Sequence, residues 1–93
     1  MLPKRRARNF MWFVYIVTCV DGTLYTGITN DVLRRIHEHN NNLKGATYTS
    51  RRRPVTLVYQ EAAATRSAAM VREHAIKKLT RIQKEQLIID HSS

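Results

Sequence analysis

Trp12-Phe13-Val14-Tyr15-Ile16-Val17-Thr18-Cys19-Val20-Asp21-Gly22-Thr23-Leu24-Tyr25-Thr26-Gly27-Ile28-Thr29 is the stretch that decides the fold. Its first half is aromatic and β-branched, the composition of a half-buried or buried strand. Asp21-Gly22 is a two-residue hairpin signal. Two strands, 12–20 and 23–29, are therefore expected. Downstream, Thr29 or Asn30 is placed to cap a helix over about 31–41, with Val32, Leu33 and Ile36 as its buried stripe. Asn40-Asn41-Asn42 ends that helix, because Asn tolerates left-handed backbone and competes for backbone hydrogen bonds.

Residues 43–53 read as a loop that finishes in Arg51-Arg52-Arg53. Pro54 opens a third strand at about 55–61, followed by helices near 66–80 and 82–90. No repeat, low-complexity linker or second domain interrupts the chain. The order β-β-α-β-α-α predicts a small single α+β domain, a three-stranded antiparallel sheet flanked by helices. Its expected extent is 10–90, behind a basic N-terminal arm, 1–9.

The 93 residues carry 16 Lys+Arg against seven Asp+Glu, a net charge of +9. Such an excess on a small domain favours a polyanionic partner, bound in a salt-dependent way as counterions are released. A solvated basic surface or an anionic membrane surface are the alternatives that charge alone leaves open. The single cysteine excludes an internal disulfide. Lys4, Arg5, Arg6 and Arg8 before the apolar run from Phe10 to Val20 imitate a secretory signal. That run has no small-x-small cleavage site, ends in a turn, and is well short of the roughly 20 residues that cross a bilayer. A cytoplasmic protein without a membrane partner is the expectation.

Several chemistries lack their residues. Cys19 sits in an apolar strand with no base implied beside it. His37 and His39 are two apart and one Cys cannot complete a zinc set. Gly22, Gly27 and Gly45 are scattered and make no phosphate loop. Among the seven acids, Asp21 belongs to the turn, Asp31 to a helix start, Glu38 to an exposed pair with Arg34, Glu61 to a strand end, and Glu85 and Asp90 to the last helix. Glu73 remains. One carboxylate with waters and a phosphate is an acceptable Mg²⁺ environment. Glu73 and Lys77 are also spaced as an ordinary surface ion pair. Tyr15 and Tyr25 bracket the hairpin, and spacing alone leaves open whether they share a face or serve the core. Arg35 falls beside the apolar stripe of the first helix, where it either covers the core or points into a cleft. His39 lies one turn further along that border.

The ordered set Val14-Tyr15-Ile16, Tyr25-Thr26-Gly27, Arg35 ten residues after Tyr25, Glu38-His39-Asn40, and Arg72-Glu73-His74-Ala75-Ile76-Lys77-Lys78-Leu79 resembles the GIY-YIG nuclease domain, over roughly residues 12–80. It looks most like the small bacterial single-domain members. The resemblance implies Tyr25 as general base on the attacking water, Glu73 as ligand of one Mg²⁺ or Mn²⁺ ion, Arg35 as phosphate ligand, and Tyr15 as an orienting hydroxyl. His39 would assist and Gly27 would give the backbone room beside the site. A tyrosine, titrating at about 10 in model peptides, needs nearby cations to act as a base. The first triplet is Val-Tyr-Ile rather than Gly-Ile-Tyr, Thr26 stands mid-way in the second, and no Asn follows Asn42 to fill the late asparagine position of some members.

The implied activity is a metal-dependent endonuclease that hydrolyses DNA phosphodiester bonds, selecting by nucleic-acid structure rather than sequence. Arg51, Arg52, Arg53 and Lys77 would contact the nucleic acid, DNA first and RNA as the alternative. The competing readings are a DNA- or RNA-binding module of the same fold with weak or no catalysis, and a subunit that needs a partner protein.

Overall fold

The computed structural model describes residues 11–41 and 47–92. The arm 1–9 with Lys4, Arg5, Arg6 and Arg8, and also Phe10, Asn42 and the first part of the 43–53 loop including Gly45, lie outside the described residues.

Strand β1 (Trp12–Thr18) is central, with β2 (Leu24–Thr29) and β3 (Thr56–Ala63) antiparallel on either side. Its run of four buried residues, Val14 to Val17, follows from that position. A strand covered on both faces reads as continuously apolar rather than alternating. The connection is longer than the expected two-residue link. Gly22 N–H donates to Cys19 O at 2.9 Å, and Cys19 N–H to Thr23 O at 2.8 Å. Gly22 takes φ +85°, so the chain makes a three-residue turn closed by a left-handed glycine. Asp21 Oδ1 accepts from the Thr23 amide (3.1 Å) and hydroxyl (2.6 Å), fixing the corner.

Helix α1 (Val32–Asn41) covers one face of the sheet. Its cap is Asp31, whose Oδ1 accepts from Arg34 N–H at 3.1 Å, rather than Asn30 or Thr29. Thr29 Oγ1 instead holds the Asp31 amide. The inward face also differs from the expected stripe. Val32 is buried, Ile36 half-buried and His39 fully buried, whereas Leu33 is 80% exposed. At about 100° per residue, Val32, Ile36 and His39 align while Leu33 turns a quarter-circle away. In the last turn of α1 the Asn40 side chain pairs with the backbone just before β3, donating to Val55 O (3.0 Å) and accepting from Val55 N–H (2.6 Å).

Within the expected loop the chain forms a four-residue helix, α2 (Thr47–Ser50). β3 then carries a bulge. Ile16 pairs with Tyr59 but Val17 with Leu57, so Val58 is the extra residue and the two flanking side chains pass to opposite faces. Tyr59 joins Val14, Ile16, Ala69 and Ile76 on one side, and Leu57 joins Tyr15, Val17, Cys19 and Val55 on the other.

Helices α3 (Arg66–Lys77) and α4 (Arg81–Ser92) cover the Tyr59 face. Thr65 caps α3 by accepting from Ala68 N–H at 3.0 Å. Fully buried Ala69 and Ile76 seat the helix on the sheet, the small side chain allowing close approach. Thr80 and Gln83 form a reciprocal capping box at the start of α4. That box explains why α3 stops at Lys77, short of the expected 80. No helix among the described residues is long and apolar enough to cross a membrane.

Candidate active site

The β1–β2 register sets Tyr15 opposite Gly27 and Val17 opposite Tyr25. Both tyrosines therefore lie on the α1 face, which spacing alone left undecided. Tyr15 is 1% exposed and its ring crosses the Gly27 backbone. A Cβ on Gly27 would meet the Tyr15 hydroxyl oxygen at 2.6 Å and Cζ at 2.8 Å. Gly27 is required here by close approach.

From α1, His39 enters the same space. Its Nε2 lies 2.8 Å from the Tyr15 hydroxyl and its Nδ1 2.7 Å from Thr49 Oγ1, with both His39 and Thr49 fully buried. Burial first, and then the Arg35 cation, push the His39 pKa down to about 4, partly opposed by Glu38. The imidazole is neutral at physiological pH. Burial likewise pushes Tyr15 up to about 12, against a lowering hydrogen bond from Arg35, so this hydroxyl keeps its proton. Arg35 also donates from Nη1 to Glu38 Oε1 at 3.0 Å. Glu38 is thus half-buried beneath Arg35, as well as 3.7 Å from Arg34, and is not the exposed pair expected of it. Arg35 itself is half-buried, with its guanidinium held between Glu38 and Tyr15.

Tyr25 is half-buried, with its ring centroid 6.4 Å from Tyr15, 5.5 Å from His39 and 5.9 Å from Tyr48, the last in a stacked arrangement. The Arg52 guanidinium lies 4.0 Å over the Tyr48 ring and donates to Tyr48 O (2.7 Å) and Asp21 Oδ2 (3.0 Å). Tyr48 and Thr49 were missing from the sequence reading. Nothing in charge, periodicity or spacing marks them, since they matter only once α2 is folded against α1.

Glu73 stands on α3, which packs along β1 and the edge strand β2. Its charge is felt at Tyr15, and its carboxylate pairs with Lys77 at 3.3 Å. Among the described residues no three His, Cys, Asp or Glu side chains gather into a metal cage. The arginine run splits by task. Arg51 is exposed, Arg52 is bound to Asp21 and Tyr48, and Arg53 is half-buried with Nη1 unpartnered. Arg72 reaches Glu61 at 2.8 Å.

A three-stranded antiparallel sheet with helices on both faces carries a tyrosine pair, a histidine and an arginine together on its α1 side. The chain belongs to the GIY-YIG family, whose catalytic-domain model matches residues 11–86. It is similar to UPF0213 proteins of Desulfotalea psychrophila, 60% identical over 83% of this chain and 70% of that protein, and of Staphylococcus epidermidis, 58% identical over 82% of this chain and 92% of that protein. Among solved structures, the UPF0213 protein of Bacillus halodurans shares the fold with TM-score 0.54 at 46% identity, covering 84% of this chain and 82% of that one. A protein of E. faecalis does so with TM-score 0.57 at 46% identity, covering 82% and 80%.

Proposed function

We propose that the protein is a metal-dependent endonuclease that hydrolyses phosphodiester bonds of DNA by direct attack of water. The observation that carries this reading is the convergence of Tyr25, Tyr15, His39 and Arg35 from three elements on one face of the sheet. Tyr25, half-buried at the rim of that cluster, is the general base: having given its own proton to solvent, it takes the proton of the attacking water on its phenolate oxygen and becomes a neutral hydroxyl. Arg35 binds a non-bridging phosphate oxygen. Five donors in a fixed fork let a guanidinium hold its protein partners and a phosphate together. As the water oxygen bonds to phosphorus and the P–O bond to the leaving group breaks, Arg35 offsets the charge that develops.

Glu73 fits a single Mg²⁺ or Mn²⁺ ion. It is a half-buried carboxylate without a second carboxylate cage, and Mg²⁺ accepts one carboxylate with waters and a substrate phosphate. Such an ion supplies charge neutralisation at the phosphate and leaving oxygen. Arg51 and the basic excess support nucleic-acid binding chosen by shape rather than base sequence.

The deciding experiment is cleavage of linear, nicked, branched and single-stranded DNA, with RNA in parallel, with and without Mg²⁺ or Mn²⁺. Nicking should require metal and vanish in Glu73→Ala and Tyr25→Phe. The ion pair between Lys77 and Glu73 favours one competing reading, a binding module of the same fold. Binding without cleavage by the wild type would establish that alternative. Cleavage only on adding a partner protein would make the chain a dependent subunit.

A further inference from the structure

The His39 ring is fully buried between two hydroxyls, Tyr15 on Nε2 (2.8 Å) and Thr49 on Nδ1 (2.7 Å). A neutral imidazole carries one hydrogen on its two nitrogens, so one nitrogen donates and the other accepts. Two arrangements meet these distances. Either Nδ1–H donates to Thr49 while Tyr15 donates to Nε2, or Nε2–H donates to Tyr15 while Thr49 donates to Nδ1.

Tyr15 discriminates between them, because its oxygen also accepts a hydrogen bond from Arg35. In the second arrangement that oxygen accepts twice, and its own hydrogen needs a third partner. Tyr15 is 1% exposed and its hydroxyl is pressed against Gly27, and a buried donor left without an acceptor is costly. The first arrangement gives the hydrogens of Arg35, Tyr15 and the imidazole an acceptor each along one directed chain, and leaves the spare hydroxyl hydrogen on Thr49, which has a further interaction of its own. Arg35 donates to Tyr15, Tyr15 to His39 Nε2, and His39 Nδ1–H to Thr49 Oγ1.

We propose that Thr49 is a positioning residue of this site, fixing His39 as the Nδ1–H tautomer so that Tyr15 spends its hydrogen on Nε2 and offers Arg35 its lone pair. The kinetic consequence rests on the nuclease reading; the tautomer does not. Tyr15 then orients Arg35 and donates nothing to substrate. Thr49 acts at two removes, and its neighbour Tyr48 stacks on Tyr25, so the short helix α2 braces both tyrosines at once.

The test is ¹⁵N–¹H correlation of the His39 ring at neutral pH, assigned by its loss in His39→Gln, in the wild type, Thr49→Ser and Thr49→Val. The wild type and Thr49→Ser should show Nδ1 protonated and Nε2 bare. Thr49→Val removes the acceptor with little change of shape and should populate the Nε2–H form. Its cleavage turnover should fall about tenfold, the scale of one lost orienting hydrogen bond, with KM nearly unchanged and Thr49→Ser restoring the rate. An Nε2–H ring in the wild type overturns the proposal without any variant having to fold. An unaltered Nδ1–H ring in Thr49→Val overturns it too. Absence of cleavage by the wild type defeats the nuclease reading alone, and the tautomer still decides the role of Thr49.

Discussion

Tyr15 and Gly27 are cross-strand partners in which the tyrosine ring fills the space a Cβ on the glycine would take, its hydroxyl oxygen 2.6 Å from that position. The hydroxyl is the far end of the side chain, yet it cannot swing aside freely, because it is held by His39 Nε2 at 2.8 Å. Gly27→Ala should therefore push the ring off His39. The cost expected for overpacking a buried site is about 1–3 kcal/mol, read as a lower urea midpoint at unchanged slope. DNA cleavage should fall as well. Full stability in Gly27→Ala would show that the ring relaxes without loss.

His39 gives stability a pH dependence on the acid side. Its ordinary pKa of 6.5 falls to about 4 in the folded protein, through burial and then the Arg35 cation. Above about pH 6.5 neither the folded nor the unfolded chain binds this proton, and nothing is lost. As pH falls from about 6.5 toward about 4 only the unfolded chain takes it up, so stability declines, by about 3 kcal/mol at the full extent. Urea unfolding at steps between pH 7.5 and 4 measures the slope. His39→Gln should remove this part of it, and an undiminished slope in that variant would assign the effect elsewhere.

Tyr15 does the same on the basic side. Burial raises its pKa from 10.0 to about 12, against the hydrogen bond from Arg35. Its contribution is complete below about pH 10 and is lost as pH rises toward 12, because the unfolded chain ionises first. An ultraviolet absorbance titration should contain a late tyrosine step near pH 12 that Tyr15→Phe lacks, beside the raised titration of Tyr59, which burial and its hydrogen bond to Glu61 delay. That variant also strands the inward-facing His39 Nε2, a loss of about 1–3 kcal/mol. A late region that is the same in the wild type and Tyr15→Phe would mean the Tyr15 hydroxyl is more solvated than its burial implies.

The sheet and helix order were legible because hairpin chemistry at Asp21-Gly22 and apolar runs are local signals. What failed was directional. Leu33 counts as apolar wherever it sits, yet one step around α1 separates it from Val32 and leaves it 80% exposed. The inward place one turn on goes to His39, a polar residue that burial statistics would put elsewhere and that Tyr15 and Thr49 alone make tolerable there. The bulge at Val58 likewise has no mark in Val55-Thr56-Leu57-Val58-Tyr59, since it depends on register with β1. Tyr15, Tyr25 and Arg35 could be named from their order along the chain. Thr49 could not, because its role exists only through a contact ten residues distant in sequence.

Arg51 and Arg52 are neighbours that should behave oppositely. Arg51 is exposed, so Arg51→Ala should leave the urea midpoint in place and weaken DNA binding. Its log–log salt slope should shrink by about 1, the release of one counterion. Arg52 is committed to Asp21 at 3.0 Å, to Tyr48 O at 2.7 Å and to the Tyr48 ring. An exposed ion pair alone contributes at most about 1 kcal/mol. Losing it together with the carbonyl bond and ring contact should lower stability by about 1–2 kcal/mol and loosen Tyr48 from Tyr25. Arg52→Ala should then reduce cleavage more than its small change in salt slope accounts for. Equal slope losses in the two variants, with stability untouched in both, would make the run a single phosphate-binding patch and defeat this division of labour.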